Sequence, residues 1–214
     1  MVNPLLFKTW YSWLIFHLSY MIKEFNTYIE RIPLEFWRDL CREEGTLRKI
    51  KKGENFLSSG EVCKKLGYIE SGSFKYVAYT KKGDERIVGL ETIGGFVANG
   101  PYCLQKLPSR VSIIANADSE ISCLPVSKII KMIEEDSGFE NLVHHATKEM
   151  FYTVYDRTID LYTKTPKERY DDLLNVCPKI FEIFDLKDIA SFLNITPIYL
   201  SRIRKKLKEG DENL

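Results

Sequence analysis

No C-x-x-C pair and no cluster of cysteine with histidine occurs anywhere in these 214 residues. The five cysteines, Cys41, Cys63, Cys103, Cys123 and Cys177, lie far apart. An odd, dispersed set argues against a disulfide framework and a structural zinc, and it offers no close-spaced ligands for an iron–sulfur cluster. Reduced thiols acting as small core residues are expected instead. Histidine is scarcer still, with only His17, His144 and His145. Three are too few and too poorly placed for haem, and the adjacent His144 and His145 point apart on a helix, which suits metal chelation badly.

Excess charge of one sign is also missing. Lys and Arg total 31 against 30 Asp and Glu, for a net charge of +1. No global field draws such a chain to nucleic acid, so a partner of that kind has to be met by a local patch. The catalytic signatures G-x-S-x-G, P-loop and H-E-x-x-H are absent, and no pair of carboxylates stands out, which makes an enzyme the weaker class. Internal repeats and low-complexity tracts are absent as well. The one long apolar run, Pro4–Ile22, is interrupted by Lys8 and His17 and diluted by Thr, Ser and Tyr. It reads as an amphipathic helix, or as sequence ahead of a start at Met21, rather than as a membrane anchor.

What is present divides by texture. Phe25, Ile29, Ile32, Phe36, Trp37 and Leu40 recur at three- and four-residue steps, which predicts a helix from Ile22 to about Leu40. From Gly45 onward short β-prone runs alternate with turn signals at Lys52-Gly53, Ser59-Gly60, Ser71-Gly72, Lys82-Gly83-Asp84 and Gly94-Gly95. Two more strands follow in "RVSIIANADSEISCLPV". Many short strands at regular spacing predict an antiparallel barrel or jelly roll, and the fold class is α+β. Val126–Met132 reads as a short helix. A long one is predicted from about Gly138 to Tyr162, carrying Phe139, Val143, Ala146, Met150, Val154 and Leu161 as an apolar stripe. Such a helix is either a core helix or a coiled-coil seam. The polar stretch Thr163–Asp172, with Pro166 at a helix N1 position, marks a domain boundary.

The C-terminal stretch "DLKDIASFLNITPIYLSRIRKKL" holds the local patch. Lys187–Leu193 forms one helical pattern, and Asn194 tolerates the left-handed conformation of a tight corner. Thr196 stands at an N-cap and Pro197 at N1 of a second helix. Leu200, Ile203 and Leu207 fall on its buried arc. Ile198, Ser201, Arg202 and Lys205 lie opposite, flanked by Tyr199 and Lys206. Helix, short turn, and a second helix with a polar, basic face make a helix-turn-helix. A solvated basic helix end is the plainer alternative, against which stand the turn spacing, Ala190 at the helix contact and the Thr-Pro start.

A small barrel, a long helix and a C-terminal helix-turn-helix together resemble the Crp/Fnr family of bacterial transcription regulators. "TPKERYDDLL" followed by "DLKDIASFLNITPIYLSRIRKKL" is similar to the branch common in Bacteroidetes-type genomes. The resemblance implies a cyclic-nucleotide-binding-like barrel with flanking helices over residues 22–135 and a dimerisation helix over 136–163. A DNA-binding domain then spans 164–214, and residues 1–21 form an N-terminal extension outside the fold. It implies a homodimer on a double-stranded, two-fold-symmetric DNA operator, in the cytoplasm, with RNA polymerase as a further partner and a small-molecule effector of unknown identity. A cyclic-nucleotide-binding regulatory module whose C-terminal helices contact a protein partner is the alternative.

Residue by residue, the resemblance places Arg202 as the side chain that reads a guanine, a task suited to its bidentate donors. Ser201 and Lys205 become phosphate or base contacts, and Thr196 a backbone contact at a helix N-terminus. Ile198, Tyr199 and Lys206 complete the DNA-facing set. Pro197 and Ile198 stand where the well-studied branch has an Arg-Glu pair, so a different half-site is implied. In the barrel, cyclic-AMP-binding members carry a Gly-Glu pair and, about ten residues on, Arg-Ser or Arg-Thr. Here Ala98-Asn99 and a swapped Ser109-Arg110 stand in those places. Neighbours on a strand point to opposite faces, so Arg110 turns from the site that an arginine at 109 would serve. Asn99, Ser109 and Arg110 are the candidate effector residues; no cofactor is expected, and standard cyclic-AMP binding is disfavoured.

Overall fold

The computed structural model describes residues 30–209, so Pro4–Ile22, Met21 and the first residues of the helix read from Ile22 lie outside the described residues. Helix α1 (Leu34–Glu44) begins directly after Pro33 and continues four residues past Leu40. A helix running unbroken from Ile22 to Leu40 would carry Pro33 in its interior, where the ring removes a hydrogen bond and clashes with the preceding turn. Trp37 and Cys41, one turn apart, face inward.

Eight strands follow: β1 (Thr46–Ile50), β2 (Asn55–Leu57), β3 (Lys65–Ser71), β4 (Ser73–Tyr79), β5 (Glu85–Thr92), β6 (Phe96–Val97), β7 (Ser112–Ala115) and β8 (Ser119–Pro125), with the short α2 (Gly100–Leu104) between β6 and β7. They form two antiparallel sheets in the orders β1-β8-β3-β6 and β2-β7-β4-β5. One glycine in each of the five turns, Gly53, Gly60, Gly72, Gly83 and Gly94, adopts positive φ. At Gly72 a Cβ would lie 2.0 Å from the Ser119 hydroxyl oxygen, so the β3–β4 corner also needs the missing side chain. Ile50, Leu57, Ile69, Phe74, Ile113 and Ile121 interdigitate between the sheets, and Cys63, Cys103 and Cys123 pack with them as small apolar groups.

Helix α3 (Val126–Glu135) leads into α4 (Ser137–Thr163), whose start is fixed by the Asp136 carboxylate accepting from the Gly138 N–H at 2.7 Å. Phe139 and Val143 bury against Trp37, Tyr68, Phe96 and Ile129 on the outer face of the first sheet. With 27 residues, α4 spans about 40 Å and outruns that sheet. The apolar stripe read from the sequence therefore changes partners along its length: Val143 is buried, whereas Val154 is 64% exposed.

The chain then folds into α5 (Pro166–Val176), α6 (Ile180–Ile183), α7 (Leu186–Phe192) and α8 (Pro197–Glu209). Thr165 and Glu168 form a reciprocal capping box at the start of α5. Arg169 donates to the Lys164 and Leu193 carbonyls at 2.6 and 3.1 Å, and Tyr170 is buried. The E-R-Y segment thus caps, ties and anchors the same small domain.

That domain does not stand apart. Its core, made by Leu173, Ile180, Phe184, Ile189, Leu200 and Ile203, is continuous with Val77, Ile87 and Leu90 on the outer face of the second sheet. Lys75 and Asp188 pair at 2.9 Å with little exposure, the Ile87 N–H donates to the Ser191 hydroxyl at 2.9 Å, and the Asn116 amide donates to the Ile183 carbonyl at 2.7 Å.

A guanidinium completes the dock. The β4–β5 ladder slips by one residue, pairing Tyr76 with Gly89 but Val77 with Ile87, so Val88 is left over as a bulge. Its carbonyl accepts from Arg157 Nη1 at 2.7 Å, while Nη2 donates to the Phe192 carbonyl at 3.3 Å and the guanidinium lies 3.6 Å over the Phe192 ring. One side chain of α4 therefore holds the barrel and α7 together.

Two consequences can be measured. Asp188→Ala strands the Lys75 ammonium in a desolvated site and should lower stability by about 3 kcal/mol in urea unfolding, most of it recovered by adding Lys75→Met. Equal loss in the single and double variants would mean that the pair itself matters little. Arg157→Ala leaves two carbonyls without their donor and should speed amide hydrogen exchange in α7 and α8 while the barrel strands stay protected. Unchanged exchange in α7 would remove Arg157 from the dock.

Candidate functional site

Two surfaces carry chemistry. The first is α8. Asn194 takes φ +56° at the corner, and the Ile195 N–H returns to the Ala190 carbonyl at 3.0 Å, which closes the turn after α7. The Thr196 hydroxyl accepts from the Tyr199 N–H at 3.2 Å, capping α8 just ahead of Pro197. Leu200 and Ile203 are fully buried; Leu207, read as part of the same arc, is 37% exposed because α8 has passed the edge of its domain there. Ile198, Ser201, Arg202 and Lys205 face solvent, Tyr199 and Lys206 flank them half-buried, and Thr196 is exposed at the helix start. Arg204 differs from the other basic residues, since its guanidinium lies 4.0 Å over the Phe181 ring and serves packing.

The second is a cavity of about 410 Å³ between the barrel and α4. Tyr76, Phe96, Asn99, Cys103 and Val111 line it from the barrel side, Trp37 and Ile129 from α1 and α3, and Val143, Ala146, Met150, Val154 and Arg157 from α4. Of the three effector residues read from the sequence, Asn99 lines this cavity. Ser109 is buried elsewhere, donating to the Val111 carbonyl at 2.6 Å, and Arg110 is exposed; the structure does not bring these three together.

The polar content of the cavity is small. Trp37 Nε1 and Asn99 Nδ2 are buried donors with no partner among the described residues. The Tyr76 hydroxyl sits between the Phe96 and Ala98 carbonyls at 3.4 and 3.3 Å, and burial together with the nearby Glu91 pushes its pKa up, so it stays protonated. Arg157 is pushed down to about 10 by desolvation, which leaves it charged at neutral pH. Cys63, behind Cys103, is pulled down to about 6 by the hydrogen bond from the Cys103 thiol, and Cys103 is pushed up in return.

Arg157, Trp37 and Glu91 were not singled out by sequence reasoning. Arg157 did leave a signal, since it lies three and four residues from Val154 and Leu161 on an otherwise apolar stripe, where a charge calls for an explanation. Trp37 and Glu91 left none, because their roles come from what the fold sets opposite them. Among the described residues no group of His, Cys, Asp and Glu could hold a metal ion, and no helix is long and apolar enough to cross a membrane.

Comparison with known proteins agrees with this architecture. Residues 47–136 match the cyclic nucleotide-binding domain family. No curated protein matches in sequence. Among solved structures, FixK2 from Bradyrhizobium japonicum is 18% identical, with a TM-score of 0.67 over 78% of this chain and 85% of that one. A regulator assigned to the Crp/Fnr family from Eubacterium rectale is 16% identical, with a TM-score of 0.64 over 85% and 89%. CLP, the c-di-GMP-responsive global regulator of Xanthomonas campestris, is 15% identical, with a TM-score of 0.61 over 82% and 91%. At such identities the likeness is one of fold, and none of it bears on the Bacteroidetes branch. Barrel, long helix and helix-turn-helix thus come together in one conclusion: residues 47–136 match the cyclic nucleotide-binding domain family, and the chain has the fold of solved Crp/Fnr transcriptional regulators.

Proposed function

We propose that this protein is a sequence-specific DNA-binding transcriptional regulator that acts as a homodimer and is controlled through the cavity of its barrel. The observation that carries the reading is α8: a capped helix with two fully buried residues on one side and Ile198, Ser201, Arg202 and Lys205 exposed on the other. In that reading Arg202 donates to a guanine edge, Ser201 and Lys205 meet base or phosphate, and the N–H groups at Thr196 approach a phosphate. Ile198, 68% exposed, contacts an apolar base edge such as a thymine methyl, with Tyr199 and Lys206 at the rim.

The partner for α4 is a second copy of the chain. Phe151, Tyr155, Ile159 and Tyr162 are exposed at three- and four-residue steps along one length of helix, and Phe151 stacks on Tyr155 at 5.6 Å. A run of exposed aromatic and aliphatic side chains at that spacing is a seam for another helix. Pairing it with its own copy would set two recognition helices on one two-fold axis, as successive major grooves about 34–36 Å apart require. RNA polymerase contact and a cytoplasmic setting belong to the same reading. Cyclic AMP fits the cavity poorly, since Arg110 is outside it and Glu91 lines it.

Binding to a selected operator, read at two salt concentrations, tests the proposal. Affinity should fall steeply with salt as counterions are released, and Arg202→Ala should cost about 1–3 kcal/mol on the selected site while relaxing one base preference. Salt-insensitive binding, or no selected sequence at all, would favour a protein partner for α8. Tyr155→Glu should turn the dimer into a monomer in sedimentation and reduce operator affinity by more than Arg202→Ala does. A Tyr155→Glu dimer would place the seam elsewhere.

A further inference from the structure

The cavity differs from a nucleotide pocket in its charge plan. Among the described residues its wall holds one cation, Arg157, and one carboxylate, Glu91. They lie at different places. Glu91 is on β5 of the barrel, so close to Gly95 that a Cβ there would meet its carboxylate oxygen at 2.2 Å. Arg157 stands at the other end of the α4 wall, and no carboxylate pairs with it among the described residues; its partners are two carbonyls and a ring.

The shape is equally specific. The α4 residues that line the cavity run from Val143 to Arg157, about 21 Å of helix. Between those ends the wall is apolar, with Ala146, Met150, Leu104, Val111, Phe96 and Ile129. Val88 and Val154, beside Arg157, are 43% and 64% exposed, so the mouth opens where the guanidinium stands. A long apolar slot with a lone cation at its mouth suits a ligand with a long apolar body and one terminal anion. The buried Trp37 N–H and Asn99 amide have no partner among the described residues, so a hydroxyl or keto oxygen carried on the aliphatic body would meet donors that an unsubstituted chain leaves unused.

We propose that the cavity is a binding site for a long-chain aliphatic monocarboxylate, its carboxylate on Arg157 at the mouth and its chain along α4 toward Trp37. The inference deepens the regulatory reading and supplies its switch. A carboxylate offers the guanidinium a charge-assisted, bidentate partner in place of two neutral carbonyls. Each donor turned to the ligand is one taken from Val88 or Phe192, so the ligand loosens α7 from the barrel and shifts the helix-turn-helix between docked and released arrangements.

Ligand binding is measured directly, by calorimetry on the DNA-free full chain, below the micelle concentration of each probe. Tetradecanoate should bind saturably, and shorter acids more weakly, by up to about fourfold per buried methylene removed. Tetradecanol should bind about tenfold more weakly than the acid, for want of the charge-assisted bonds. Arg157→Met should erase the preference for acid over alcohol. Ala146→Phe, which fills the slot and leaves Arg157 alone, should abolish tetradecanoate binding but keep that of hexanoate. Equal binding of acid and alcohol to the unmodified chain, or saturable binding of cyclic AMP and of no acid, would overturn the assignment. A chain that binds tetradecanoate yet selects no operator would overturn the DNA reading instead and leave the cavity assignment standing.

Discussion

A guanidinium taken out of water without a counterion is costly, and it persists only where several weaker partners share the charge. Arg157 is such a group, with two carbonyls and an aromatic face around it. Those partners come from two residues on other elements. Val88 is the bulged residue of β5, Phe192 ends α7, and Arg157 itself rides on α4. β5 is the edge strand of its sheet and Val88 its bulged residue, which leaves the Val88 carbonyl to face α4 rather than a neighbouring strand. Barrel, long helix and helix-turn-helix domain therefore meet at one side chain. The Lys75–Asp188 pair, and the packing of Val77 and Ile87 against the helical domain's apolar core, widen that meeting into an interface.

Such an interface suits a switch better than a rigid joint would. Its apolar part is a few side chains, each worth about 1.5–3 kcal/mol when fully buried. Its polar part is made of bonds that water or a ligand can replace. A dock of that strength can be shifted by a ligand whose affinity for the two arrangements differs by a few kcal/mol. Between α4 and α5 the chain is extended at Lys164, whose ammonium pairs with Asp160 of α4 and Asp172 of α5. The capping box and Arg169 keep the helical domain whole, because both act on its own backbone.

Legibility in the sequence followed the range of the interaction. The turns, the Thr165 and Thr196 caps, the Asn194 corner and the faces of α8 depend on neighbours within about one helical turn, and all were open to reading from residue spacing. Pro33 was equally local, yet the hydrophobic period through Ile29, Ile32 and Phe36 outweighed it in the reading, and the helix start was set too early. Leu207 shows the limit of a helical wheel, which gives direction around the axis but not how far the neighbouring domain extends along it. The cavity was least legible. Asn99 was reached by its place after the barrel glycines, whereas Trp37, Glu91 and Arg157 line the space from three elements far apart in sequence. No periodicity records such a meeting.

The long helix explains why one side-chain shift can matter at a distance. Within four residues α4 presents Val154 to the cavity mouth, Tyr155 to the exposed seam and Arg157 to the dock. On a helix those positions point in different directions but cannot move independently, because the backbone hydrogen bonds fix them to one cylinder. A ligand that turns or slides this length of α4 must alter the seam and the dock together. Close packing makes the response discrete rather than graded, since interdigitated side chains have few alternative registers. By linkage the coupling runs both ways: DNA or a second copy that favours one setting of α4 changes the affinity of the cavity by the same factor.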